Sequence, residues 1–302
     1  MLPDIVCNFF LSYGCAYAMK GSRRYVMHTM KVCKENHAQM STQKKPLRIL
    51  SYNTHVCIKA SKRSERMKNL WKHVLPSRCK MDNLKKISTI MKSFDMVGIQ
   101  ESDAGSIRSG FRNQTTFLAH LGGFDYWAEQ VNREMVFARH SIGFLSRHPI
   151  LSVTRHQLPG KIPGRGLMVV HLDLMGQPMA FAVSHLSLGP RDRIRQAGYI
   201  GDIIRELDCN TILVGDFNCT SDSKELKVIA NKSGLRLAIK DMPTYPSWRP
   251  MRDIDHVLVS EGIMIRKAHV VNFTLSDHLP LAIEVLIEGT EGRQEPALPE
   301  AA

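Results

Sequence analysis

Four apolar runs of strand length each end on a residue able to carry a proton or hold a cation. Asn53 follows LRILSY, Glu101 follows DMVGIQ, His185 follows FAVS, and Asp216, with Asn218 two positions on, follows TILVG. Two more runs open the same way. Asp255 and His256 lie at the start of IDHVLVS, and Asp277-His278 stands directly before LPLAIEVLI. A buried strand that ends in a polar group holds that group rigidly, as a site for a cation and a reacting atom requires. Singly, each residue has a plainer reading. A Glu after a strand often caps a helix, a lone His is usually structural, and Asp-Phe-Asn favours a turn. As a set along one chain, they point to a shared rim.

The intervening segments predict helices and hairpins. Residues 82–93 place Leu84, Ile87, Ile90 and Met91 at helical spacing, with Asp82 as the cap. Residues 112–121 predict a second helix stopped by Gly122-Gly123. LMVVHLDL (167–174) and PMAFAVSHL (178–186) read as a hairpin. Residues 191–207 form an amphipathic helix with Ile194, Tyr199, Ile200, Ile203, Ile204 and Leu207 on its apolar face. Residues 221–234 form another, ending at Gly234. No repeat of the solenoid kind is present. Hairpins mixed with helical crossovers predict a layered α/β fold with mixed sheets rather than a purely parallel one.

The net charge of +13 is concentrated early. Residues 1–48 carry eight Lys/Arg against two acids, residues 49–110 twelve against five, and residues 111–302 twenty-one of each. The run Lys59–Lys92 holds eleven Lys/Arg and two acids. Such a segment favours polyanions, nucleic acid or an anionic membrane surface, and equally suits the solvated side of a helix. Seven cysteines without metal-ligand spacing fit a reduced compartment. Residues 1–45 are expected to be a basic, disordered extension, 46–288 the catalytic domain, and 289–302 a disordered tail. The apolar stretch 5–19 lacks a preceding cation and is interrupted by Asn8, Ser12 and Gly14, so a cytoplasmic location is expected over export.

Tyr52-Asn53-Thr54, Ile99-Gln100-Glu101, Ser184-His185-Leu186, Gly215-Asp216-Phe217-Asn218, Ile254-Asp255-His256 and Ser276-Asp277-His278 resemble, in order, the motif blocks of the endonuclease/exonuclease/phosphatase superfamily. The resemblance covers roughly residues 47–287. It implies a four-layer α/β/β/α sandwich with two mixed β-sheets and a Mg²⁺- or Mn²⁺-dependent hydrolysis of phosphoester bonds, phosphodiesters first. On it, Glu101 and Asn53 hold the metal, with Asp277 supporting the shell or a second cation. Asp216 activates the water and Asn218 positions it. His278, held by Asp255, and His185 stabilise the phosphoryl group. Some nuclease branches carry an Asp where this chain has His55, so one carboxylate is missing for a two-metal site.

The stretches GIQESDAGSIRSGFRNQ, HSIGFLSRHPI, SHLSLGPRDRIRQ and PTYPSWRPMRDIDHVLVS are similar to small bacterial-type members of uncertain substrate. They also resemble a hydrolase-like domain linked to lipid-anchor remodelling and, more distantly, neutral sphingomyelinases. Arg191, Arg249 and Arg252, close to motif blocks, are candidates to clamp phosphate. Trp248 on its Pro-braced loop is a candidate to stack on a base or enter lipid headgroups, or else to pack locally. Nucleic acid, a sphingomyelin-like or lipid-anchor phosphodiester, and inositol phosphate remain as substrates. A catalytically silent nucleic-acid- or membrane-binding module is the alternative.

Overall fold

The computed structural model describes residues 45–57, 75–174 and 176–287. Most of the expected N-terminal extension, the C-terminal tail and the first half of the Lys59–Lys92 run lie outside the described residues. Among the described residues, no helix is long and apolar enough to cross a membrane.

In chain order the elements are β1 (Leu47–Asn53), α1 (Arg78–Met91), β2 (Met96–Asp103), α2 (Gln114–Gly122), β3 (Tyr126–Met135), β4 (Ala138–Ser146), β5 (Ile150–Gln157), β6 (Gly166–Asp173), β7 (Pro178–His185), α3 (Pro190–Arg205), β8 (Asn210–Asp216), α4 (Lys224–Ser233), β9 (Arg236–Leu237), β10 (Asp255–Val259), β11 (Ile263–Val270) and β12 (Leu281–Ile287). They form two six-stranded sheets, ordered β11-β12-β1-β2-β4-β3 and β5-β6-β7-β8-β10-β9. In each sheet only the third and fourth strands are parallel, β1 with β2 and β7 with β8, and the other neighbours are antiparallel. A helix, α1 or α3, makes each parallel crossover, because parallel neighbours need a long connection. The two sheets thus share one plan that no fixed sequence period reveals.

Strand alternation builds the layers. Along β7, Met179, Phe181 and Val183 point between the sheets, while Ala180 and Ala182 face α3 and α4. β1 and β2 do likewise, sending Ile49 and Met96 inward and Leu50, Tyr52, Val97 and Ile99 toward α1 and α2. Helices therefore cover the outer face of each sheet, giving an α/β/β/α sandwich. Burial of Leu84, Ile87 and Met91 seats α1, each side chain contributing roughly 1.5–3 kcal/mol.

Gly98 in β2 packs directly against β7 and β8 of the other sheet. A Cβ added there would meet Val214 Cγ2 at 2.4 Å and Val183 Cγ2 at 3.3 Å. Gly98→Ala is expected to cost about 1–3 kcal/mol by overpacking, read as a lower urea midpoint at unchanged slope. No shift of the midpoint would show that the sheets can part there.

Several boundaries differ from the sequence expectation. Helix α1 starts a turn early, with Ser77 as N-cap, so Asp82 lies inside it. Lys80 is not on a solvated face: it is buried, and its Nζ donates to Leu75 O and Arg108 O. In α3, Ile194 is exposed and Gln196, Ala197, Ile200 and Ile204 form the buried face. Strand β2 runs on through Glu101 to Asp103. Strands β3, β4, β5, β9 and β11 carried no strand expectation. Of these, β3, β5 and β11 expose many side chains, which blurs the alternating pattern. α2 and α4 end as expected, at Gly123 and Gly234 in the left-handed conformation.

Candidate active site

The parallel strand pairs bring their C-terminal ends to one rim. Asn53 stands opposite Gln100 in the first sheet, His185 opposite Asp216 in the second, and Asp255 opposite Asp216 on its other side. Asn53 Nδ2 then donates across the sandwich to Asp216 Oδ2 at 3.0 Å. Glu101 joins them through a β-bulge: the register of β2 shifts between Ile99 and Ser102, and Glu101 takes φ 53°. Bulges re-aim side chains in this way, and a left-handed non-glycine residue carries strain that surrounding structure must hold.

Two residues on, Asp103 ties the end of β2 to the loop that follows. Its carboxylate accepts from Gly105 N at 3.0 Å, Ser106 N at 2.8 Å, Ser106 Oγ at 2.7 Å, Ser109 Oγ at 2.9 Å and Arg108 Nε at 2.5 Å. Burial alone would raise the Asp103 carboxyl, but these donors, Arg108 first, keep it below its ordinary value. A depressed carboxyl stabilises the fold above its unfolded-state value and loses that contribution as pH falls through the folded one. Asp103→Asn is therefore expected to cost about 3–5 kcal/mol at pH 7, because it strands the buried Arg108. The gap to wild type should narrow below about pH 4, the ordinary range of an Asp. Urea unfolding at both pH values checks this, and a gap independent of pH would contradict it.

Asp216 is the centre of the cluster. Its Oδ1 accepts from Asn218 N at 2.9 Å. Its Oδ2 faces Asn53 Nδ2, His185 Nε2 at 3.4 Å and His278 Nε2 at 3.7 Å. Asn218, at φ 53°, donates from Nδ2 to Leu186 O at 3.0 Å and so pins the turn. His278 comes from the loop before β12. Its Nδ1 lies 2.8 Å from Asp255 Oδ2, which also accepts from Thr244 Oγ1. Glu101 Oε1 lies 3.9 Å from His185 Nε2.

The two imidazoles are set to opposite states by what meets Nδ1. Arg165 Nη1 lies 3.2 Å from His185 Nδ1. A guanidinium only donates, so Nδ1 must accept and the proton of His185 sits on Nε2. Burial, then Arg165, push His185 well below 6.5, so it is neutral at neutral pH. Burial also opposes charge on His278, but Asp255 and Asp216 outweigh it and hold His278 well above 6.5, as an imidazolium. Burial raises Asp216 to about 7, with His278 opposing and Asp255 and Glu101 adding to the rise. For Glu101, burial is outweighed by the surrounding imidazoles and Arg165, which lower it to about 2. With His185 neutral, Arg165 and the His278 imidazolium carry that effect at pH 7.

Two groups have the proximity a cation needs: Glu101, His185 and Asp216, and Asp216, Asp255 and His278, each with ligand atoms within 4.8 Å of one another. The second is a hydrogen-bonded relay, since an imidazolium has no lone pair to offer. In the first, His185 presents N–H rather than a lone pair. The half-buried carboxylate of Glu101 and the buried amide oxygen of Asn53, which also accepts from His55 N at 3.0 Å, are oxygen donors that suit a cation preferring oxygen.

The structure does not gather every expected residue. Asp277 belongs to neither group; its Oδ1 lies 3.4 Å from Nδ1 of His55, the position at which a carboxylate was expected to be missing. Arg191, Arg249 and Arg252 are exposed and make no ion pair with the cluster among the described residues. Trp248 is partly exposed on a loop whose Ser247 N donates to Asp277 O at 2.7 Å, beside His278. Sequence reasoning missed Arg165 and Thr244. The only local sign of Arg165 was a cation between two glycines just before a strand.

The endonuclease/exonuclease/phosphatase family model matches residues 50–278, a span that holds every one of these groups. The chain belongs to the endonuclease/exonuclease/phosphatase family. This family comprises metal-dependent hydrolases of phosphoester bonds. An endonuclease/exonuclease/phosphatase from Beutenbergia cavernae is similar in structure, with a TM-score of 0.64 at 18% identity over 82% of this chain and 72% of that one. A mannosyl-6-phosphatase from Bacteroides thetaiotaomicron gives 0.60 at 17% over 80% and 100%. The human Nocturnin catalytic domain with bound sulfate gives 0.58 at 18% over 80% and 94%. At these identities the likeness shows the fold. No curated protein matches the chain.

Proposed function

We propose that the chain hydrolyses phosphoester bonds, phosphodiesters first, by in-line attack of a water activated at Asp216, with Mg²⁺ or Mn²⁺ held by Glu101 and Asn53. The observation that carries this reading is Asp216 Oδ2, an acceptor near neutral pKa surrounded by Asn53, a neutral His185 and a cationic His278. When bound, the cation supplies charge neutralisation at the phosphoryl oxygens and at the leaving oxygen.

The chain's own groups do the rest. Asp216 takes the proton of the water through Oδ2, while Asn218 and Asn53 keep the carboxylate aimed. His278 donates from Nε2 to a phosphoryl oxygen, and its charge is sustained by Asp255. His185 donates from Nε2 as a second, neutral partner. Donors aimed where negative charge develops are the main source of rate in such reactions. Asp277 is assigned to hold His55 rather than a cation. A silent binding module would gain nothing from burying Asp216 against Asp255, whose repulsion costs folding free energy.

The similarity to a mannosyl-6-phosphatase keeps phosphomonoesters in view, and the early positive charge keeps nucleic acid and anionic lipid. A panel with Mg²⁺ or Mn²⁺ tests the reading: bis(p-nitrophenyl) phosphate, p-nitrophenyl phosphate, plasmid DNA, single-stranded RNA, sphingomyelin and inositol phosphates. Metal-dependent release from at least one is expected, with phosphodiesters ahead of monoesters. Absence of hydrolysis across the panel with either metal would sink it.

A further inference from the structure

Beside the catalytic cluster lies a cleft of about 470 Å³ that shares Glu101 as part of its wall. Arg133, Lys161 and Arg165 line it together with His140, and Leu188 flanks its mouth. None of the three cations has an ion-pair partner within 4.0 Å among the described residues. Arg133 stands opposite His140 across β3 and β4, just past a bulge that shifts the register after Val131.

The placement of Arg133 is built in. Its aliphatic stem lies over Gly164, where an added Cβ would sit 3.0 Å from Arg133 Cβ and Cδ. Gly164 itself has φ +113°, a conformation that other residues rarely adopt. A glycine thus lets one guanidinium lie against the turn that carries the next. Arg165 feels this neighbour: burial first, and repulsion from Arg133 as well, hold it below its ordinary value. Bringing two cations together costs folding free energy, and an anionic ligand between them offsets it. Of the two carboxylates that line the cleft, Asp192 accepts from Lys161 N at 3.1 Å, and Glu101 is committed to the cation on the reading above.

We infer that this cleft seats a second phosphate of the substrate, beyond the scissile one, through Arg133, Lys161 and Arg165. The inference rests on the proposed phosphoester chemistry and narrows its substrates to molecules with two phosphates within reach of one another. The volume suits a small group such as a sugar or nucleoside between them.

Calorimetric binding tests it without turnover. The full chain carrying Asp216→Asn is titrated, with Mg²⁺ present, with adenosine 5′-monophosphate, adenosine 3′,5′-bisphosphate and a 5′-phosphorylated dinucleotide. At least one probe with two phosphates should bind ~10-fold or more tightly than the monophosphate, as charge-assisted hydrogen bonds from arginine allow. Adding Arg133→Ala, Lys161→Ala or Gly164→Ala should bring that ratio close to one. Arg133 and Lys161 are exposed, so folding should survive, and thermal unfolding verifies it. Preference for the bisphosphate would mark a small substrate, and preference for the dinucleotide a strand; both support a second phosphate site. A ratio near one in the parent chain, or a ratio unchanged by all three substitutions, overturns it. Wild-type hydrolysis is followed in parallel. A chain that hydrolyses without preference loses this inference alone, whereas one that keeps the Arg133-dependent preference without hydrolysis loses the proposed function instead.

Discussion

Asp216→Asn is expected to lower turnover of a phosphodiester on the order of 10³-fold and to leave the protein no less stable. The amide oxygen can still accept from Asn218 N, but the NH₂ that then faces Asn53 Nδ2 no longer accepts, and the amide cannot take a proton from water. The stability half follows from the sign of the shift. Burial raises the Asp216 carboxyl to about 7, so its charge opposes folding at every pH above its ordinary range. Removing that charge relieves the repulsion with Asp255. Steady-state kinetics on bis(p-nitrophenyl) phosphate and thermal unfolding at pH 8 check the two halves together. Wild-type turnover in the variant would remove Asp216 from the chemistry. Lost turnover with a collapsed melting temperature would make its role structural.

The second large effect concerns His278. His278→Ala should cost ~10²- to 10³-fold in turnover, the loss typical of one donor to a developing oxyanion. Asp255→Asn is more informative. Asp255 is the leading cause that raises His278. If the imidazolium is the active form, activity falls as pH rises through the folded value of His278. Without Asp255 that value drops, so the alkaline limb of the pH–rate profile moves to lower pH. The stability contribution of the pair has the same sign: it is fully present below about pH 6.5 and is lost as pH rises through the raised value. A limb that stays in place in Asp255→Asn would assign it to another group.

Much of this site was legible because chemistry and topology coincide at strand ends. A parallel crossover returns the chain to the same edge, so the C-terminal ends of β1 and β2 must share one edge and those of β7 and β8 another, and packing of the sheets joins the two through Asn53 and Asp216. His185 and Asp216 are 31 positions apart and yet adjacent in register. Glu101 was legible as a residue, but not as a bulge inside a strand, since a register shift depends on the partner strand β4. Arg165 was hidden because its importance is a contact with His185 Nδ1, and nothing in Pro163-Gly164-Arg165-Gly166 states where that turn will lie. Arg191, Arg249 and Arg252, near motif blocks along the chain, are exposed and make no ion pair with the cluster among the described residues. The same limit applies to the fold. Buried central strands such as β7 and β8 announce themselves, whereas β5 buries no residue and β3 only Ala128 and Gln130, so neither shows the alternation that identifies a strand.

The most direct test of the centre is the cation dependence of hydrolysis in wild type and in Glu101→Gln, measured on bis(p-nitrophenyl) phosphate across a Mg²⁺ series. Wild type should show saturable activation that EDTA abolishes and added Mg²⁺ restores. Glu101→Gln, which keeps the shape of the side chain but removes its charge, should need at least ~10-fold more Mg²⁺ for half-maximal activity, since Mg²⁺ sites are built on one or two carboxylates. Turnover that persists in EDTA, or an identical Mg²⁺ requirement in the two proteins, would contradict a metal-dependent centre at Glu101.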